Sequence, residues 1–121
     1  MNEILKELGR ILVPEEILES FELVSVENKE EEILIRLEEK KECIPSGITN
    51  KDLAILDGFC ERIELQTYPA QGKAVYLEIY RRRWKEKGGG QRNYFNEYSF
   101  QAPGTKATRS FGAFLKEAFG D

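Results

Sequence analysis

Between residues 75 and 95 the chain reads VYLEIYRRRWKEKGGGQRNYF. Arg81, Arg82 and Arg83 are consecutive, Trp84 follows, and Lys85, Lys87 and Arg92 surround three glycines. Cationic side chains of this kind neutralise phosphates and release their counterions, while an aromatic ring beside them can stack on a base or wedge against a backbone. Arg82, Arg83, Lys85, Lys87 and Arg92 are therefore the candidate phosphate contacts, with Arg81 in the same run. Lys73, Lys106 and Arg109 are secondary candidates, and Trp84 is either wedge or scaffold. Three arginines in succession on a strand point to alternate faces, so they serve one surface only if the ribbon projects beyond the core. The glycines permit that projection, and a two-stranded ribbon is among the shapes that enter a major groove. A structural reading of the same residues stays open. Lys and Arg protect edge strands against aggregation, Trp84 and Tyr94 make a favourable cross-strand pair, and Arg81 can pair with Glu97.

Other chemistries find less support. The chain has no histidine, which excludes Ser-His and Cys-His nucleophile pairs. Cys43 and Cys60 stand far apart, with no CxxC spacing; they are expected to be small buried apolar residues, with no metal and no cofactor. Gly88, Gly89 and Gly90 join two strand-like runs, so they lack the strand-then-helix setting of a phosphate cradle. Glu30, Glu31, Glu32, Glu38 and Glu39 flank a hairpin and are expected to solubilise it. No catalytic residue is assigned, and a non-enzyme is expected.

The elements that must hold the arginines follow from hydrophobic period. Ile4, Leu5, Leu8, Ile11 and Leu12 are spaced as on a helix, with Asn2 as N-cap and Pro14 as stop; PEEILESF can add one turn. FELVSV and EILIRLEE then alternate about Asn28-Lys29, Phe21 and Leu23 in the first segment and Ile33, Ile35 and Leu37 in the second, and predict a β-hairpin. Pro45, Ser46 and Gly47 mark a loop, and Thr49 with Asp52 predicts one or two helical turns over Leu53, Ile55 and Leu56, ended by Gly58. Alternation resumes from Phe59, YPAQGK turns the chain, and Val75, Leu77 and Ile79 face one way while Tyr76, Glu78 and Tyr80 face the other. If Gly89 centres the next turn, Trp84 lies opposite Tyr94, Arg82 opposite Asn96, Tyr80 opposite Tyr98 and Arg81 opposite Glu97. A closing helix carries Phe111, Phe114, Leu115 and Ala118, with Thr108 as N-cap and Gly120 past its end.

At 121 residues this is the size of one domain. The expected fold is α+β, an antiparallel sheet of about five strands with helices from both ends of the chain packed on it. The net charge of −4 conceals an asymmetry. Residues 1–68 hold 17 Asp or Glu against 8 Lys or Arg, a net of −9, and residues 69–121 hold 5 against 10, a net of +5. Such asymmetry is a reason to consider nucleic acid as a partner, although charge runs are most often just a solvated face. The first residues lack a basic stretch followed by an apolar one, and no apolar run reaches the ~20 residues that span a bilayer, so a cytoplasmic protein with no membrane partner is expected.

LQTYPAQGKAVYLEIYRRRW followed by PGTKATRSFGAFLKE resembles the N-terminal region of Aon-type bacterial insertion-sequence transposases. Gly58-Phe59, then Gln66, Pro69, Gly72 and Lys73, then Arg81-Arg82-Arg83-Trp84 match its successive motifs. Gly104-Thr105 and Phe114-Leu115-Lys116-Glu117 match the last two, and the likeness covers residues 13–120 loosely and the second half closely. Thr67, Gln71 and Asn96-Glu97-Tyr98 depart from it, in place of Asp, Arg and Arg-Asp-Trp. The resemblance implies a transposase N-terminal-like domain over residues 1–121, a DNA-recognition module that contacts duplex DNA at insertion-sequence ends. It also implies a separate catalytic transposase subunit that supplies metal-binding carboxylates. Two alternatives remain: a protein–protein adaptor for that subunit, or a single-strand binder that stacks bases on Tyr76, Tyr80, Trp84 and Tyr98.

Overall fold

A computed structural model describes residues 3–119; Asn2 and Gly120, expected at helix ends, lie outside the described residues. The chain opens with helix α1 (Glu3–Leu12) and the single turn α2 (Glu15–Leu18). Pro14 separates them, since it has no amide to continue a helix but suits the residue before a first turn. α1 lies on the sheet through Leu5 and Leu12, and its buried Gly9 lets the helix backbone come close to Leu23. Ile4 and Ile11, expected on the apolar stripe, are exposed instead. Ile17 of α2 is fully buried.

Strands β1 (Phe21–Asn28) and β2 (Glu32–Glu39) form the expected antiparallel hairpin, with a bulge at Val24. Strands β4 (Ile63–Ala70) and β5 (Lys73–Tyr80) form a second hairpin. Its two turn residues, Gln71 and Gly72, both have positive φ (54° and 70°), as a right-twisted two-residue hairpin requires. The two hairpins join through β2 and β5 into one sheet of order β1-β2-β5-β4. The fold class is α+β as expected, but the β2–β5 contact is parallel. A parallel pair needs a long crossover, and residues 40–72 provide it. Alternation places Phe21, Leu23, Ile33, Ile35, Leu37, Leu65, Val75, Leu77 and Ile79 on one buried face, covered by α1, α2 and Phe100.

A second, two-stranded sheet holds strands β3 (Ala54–Phe59) and β6 (Arg82–Glu86), paired antiparallel. Two expectations are corrected here. The helical turns foreseen near Leu53–Leu56 shrink to a single 3-10 turn, Lys51–Leu53, capped by the Asn50 side chain, which accepts from the Asp52 amide at 3.0 Å. Ile55 and Leu56 then run on as strand because β6 offers them a ladder, and Gly58 (φ 79°) sits in the bulge of that ladder rather than at a helix end. Residues 94–100, expected as the second strand of the basic ribbon, make only one bridge, Trp84 with Tyr94, each amide donating to the other's carbonyl at 2.8 Å.

Helix α3 (Arg109–Phe119) closes the chain. Thr108 caps it as expected, its hydroxyl accepting from the Phe111 amide at 3.4 Å. Ahead of the helix the chain runs along β4, where the Gln66 amide donates to the Lys106 carbonyl at 2.8 Å and the Thr108 amide to the Gln66 carbonyl at 2.9 Å. Phe111 and Gly112 are buried against this edge.

Candidate nucleic-acid interface

β6 leaves the end of β5 at Arg81, so the arginine run lies where the main sheet hands the chain to the small one. Alternation divides it: Arg82 and Trp84 turn inward, only 9% and 4% exposed, while Arg83 and Lys85 turn outward. What holds Arg82 inside is Glu39, the last residue of β2, whose side chain is fully buried. The Arg82 amide donates to Glu39 Oε1 at 2.8 Å, and Arg82 Nε donates to the Glu39 carbonyl at 2.6 Å. Glu39 Oε2 accepts from Asn96 Nδ2 at 3.0 Å and from the Tyr98 hydroxyl. Asn96 Nδ2 also donates to the Cys43 carbonyl at 2.7 Å. One carboxylate thus joins β2, β6 and the 94–98 segment. It takes the Arg82 amide that a partner strand would otherwise have bonded, which is the physical reason the foreseen ribbon stops at one bridge.

Glu39 is therefore not a solubilising residue, and the expectation that it flanks the hairpin in solvent is corrected. Its place was legible in the alternation Ile33, Ile35, Leu37, which carries on to position 39. Burial, then the hydrogen bond to Glu39 and its charge, push the Tyr98 phenol well above the ordinary tyrosine value. Burial and the same carboxylate push the Cys43 thiol up as well. Cys43 and Cys60 are free and half-buried, less enclosed than expected, and Cys43 Sγ donates to the Ser20 carbonyl at 3.7 Å.

Arg82 would have to leave Glu39, Glu38 (3.7 Å) and the Phe59 ring to reach a phosphate, and it drops out of the contact set. Trp84 drops out as a wedge, being buried beneath the ribbon. Arg81 is largely committed too: its Nη1 donates to the Asn96 carbonyl at 3.1 Å and to Glu97 at 3.2 Å, so the foreseen ion pair is present. Arg83 Nε donates to the Asp57 carbonyl at 2.9 Å, and the Asp57 carboxylate lies 3.4 Å from Arg83 and 3.7 Å from Lys85. One carboxylate shared by two cations leaves a positive charge uncompensated.

Further out are cations that make no ion pair among the described residues. Lys87 and Arg92 flank the glycine turn, both exposed, with Arg92 over the Tyr94 ring at 4.9 Å. Gly88 and Gly90 have φ of 79° and 80°, which side-chain-bearing residues rarely adopt. The Lys87 amide donates to the Leu53 carbonyl at 2.8 Å, which brings in Lys51, a residue sequence reasoning passed over because it was assigned to a helical turn. Lys51, Arg83, Lys85, Lys87 and Arg92 thus share the small sheet and its tip. The secondary candidates do not join them. Lys73 begins β5 at its opposite end and donates to Asn28 Oδ1 and the Lys29 carbonyl, both at 2.7 Å, tying the two hairpin turns together. Lys106 and Arg109 are exposed beside β4 and α3.

The four rings of the single-strand reading do not share one surface. Trp84 is buried, Tyr98 is stacked on Phe100 and edge-on to Phe21 in the core, and Tyr80 lies on the other sheet face under the Arg36 guanidinium, 4.0 Å away. Among the described residues no group of three Cys, Asp or Glu converges as a metal set, and no helix is long and apolar enough to cross a membrane. Comparison of the chain with known protein families, curated proteins and solved structures finds no match.

Proposed function

We propose that this chain is a non-enzymatic DNA-binding module that contacts duplex DNA through the tip of its small sheet. The observation that carries the reading is the gathering of Lys51, Arg83, Lys85, Lys87 and Arg92 along one two-stranded ribbon and its tip, with Lys51 and Lys87 in no ion pair among the described residues, in a chain of net charge −4. Phosphates would be drawn to that tip and away from the acidic remainder. Trp84 and Arg82, buried beneath, serve as scaffold that fixes the ribbon's direction. The resemblance described above supplies the biological partner: the ends of an insertion sequence, with catalysis on a separate transposase subunit. The test is duplex binding by fluorescence anisotropy across salt concentrations, comparing wild type with Lys85→Ala/Lys87→Ala/Arg92→Ala.

A second reading, an adaptor for the catalytic subunit, draws on a different surface. A shallow groove of about 350 Å³ between α1 and β4 is lined by Ile11, Leu12, Pro14, Tyr68 and Pro69, and the exposed Phe114 ring packs on Tyr68 at 5.7 Å. Exposed apolar surface of this kind marks protein contact. Tyr68→Ser would abolish co-purification with such a subunit under this reading and leave DNA binding intact.

A further inference from the structure

Among the described residues β3 is paired on one side only, with β6. The register places Ile55 opposite Lys85, and the Lys87 amide bonds the Leu53 carbonyl, so Leu53 and Ile55 direct their peptide groups toward β6. Alternation then turns those of Ala54 and Leu56 outward. The Ala54 amide bends back to the Lys51 carbonyl, which leaves the Ala54 carbonyl and both peptide groups of Leu56 on the open edge. Ile55 and Leu56 are 47% and 40% exposed, on opposite faces of the strand. The usual protections of an edge are thin here. There is no Lys or Pro between Ala54 and Phe59, and the one charge, Asp57, is held by Arg83 and Lys85.

We infer that β3 is a self-association edge, which pairs antiparallel with β3 of a second copy about a two-fold axis. The unpaired peptide groups select an extended strand as occupant, and the side chains select this same strand. With Ile55 opposite Ile55 of the other copy, the Leu56 amide of each copy donates to the Ala54 carbonyl of the other. Asp57 then faces Leu53 and Asp52 faces Gly58, so the self-pairing sets no like charges against each other. The arrangement is closed, because the same patch is used on both sides, and it joins two two-stranded sheets into one of four strands. The contact is small, which makes the dimer weak and concentration-dependent.

Sedimentation without DNA, from low micromolar to millimolar protein, tests this. The expected result is a mass that rises toward twice the monomer for wild type. Ile55→Glu should stay monomeric throughout while keeping its near-UV circular dichroism, since a glutamate there faces Lys85 within its own chain but another glutamate across the axis. Ile55→Lys should behave likewise alone, and an equimolar mixture of the two variants should associate. A wild type that is monomeric at every concentration overturns the inference, as does association of Ile55→Glu equal to wild type, or a mixture no more associated than its components. No DNA is present, so none of these outcomes bears on the ribbon tip's affinity for phosphate.

Discussion

A buried carboxylate that accepts three hydrogen bonds decides where the arginine run goes. Glu39 holds the Arg82 amide, Asn96 and the Tyr98 hydroxyl. Removing it leaves those donors unsatisfied in the interior, at ~1–3 kcal/mol each before relaxation. Glu39→Ala is therefore expected to lower unfolding free energy by about 3 kcal/mol or more, measured by urea denaturation; a loss near that of an ordinary surface substitution would contradict the account. Tyr98 adds a pH dependence whose sign is fixed. An unfolded tyrosine releases its proton near pH ~10, whereas folded Tyr98 holds it to higher pH. Above that point the unfolded chain binds fewer protons than the folded one, so this contribution to stability, complete below pH ~10, is lost as pH rises toward the folded value. Tyr98→Phe should flatten the alkaline limb of the stability profile. Glu39 could have been found by extending the β2 alternation, but a glutamate at a core position reads as the end of a strand. The donors that make its burial tolerable come from residues 82, 96 and 98, more than forty positions away.

Local pattern was enough for the two hairpins, for α1 and for the α3 cap, because each is set by neighbours in sequence: alternation, a two-residue turn, a threonine at a helix start. The β3–β6 pairing was not legible, since the partner of Ala54–Phe59 is 23–32 residues away and Thr49-to-Asp52 mimics a helix cap. The parallel β2–β5 contact was hidden for a similar reason: nothing in either strand names its non-local neighbour. The interface candidates split along this line. The outward Lys85, Lys87 and Arg92 follow from the run itself, while the inward turn of Arg82 and Trp84, and the arrival of Lys51, depend on β3. At α3 the close packing of the helix start gives a sharp expectation. A Cβ at Gly112 would come within 2.4 Å of Ala102 Cβ, so Gly112→Ala should be destabilising by about 1–3 kcal/mol despite the better helix propensity of alanine. A thermal melt at or above the wild-type midpoint would show that the helix can shift.

Across the whole molecule, charge separates the two sheets. The face of the main sheet opposite the core pairs Glu22 with Glu38 and Glu64 with Glu78 across strands, relieved by Arg36 (3.0 Å to Glu38) and Arg62 (2.7 Å to Glu78). That face repels phosphate, and the small sheet carries the cations, so the field favours one approach to a polyanion. The most direct measurement is binding of the full chain to random duplex DNA by fluorescence anisotropy over a series of salt concentrations. Affinity should fall steeply with salt, and Lys87→Ala should weaken binding about equally for all sequences while reducing the salt slope by about one. A folded protein that leaves duplex DNA unbound at low salt, or a Lys85→Ala/Lys87→Ala/Arg92→Ala variant that binds with the wild-type salt slope, would contradict the central claim.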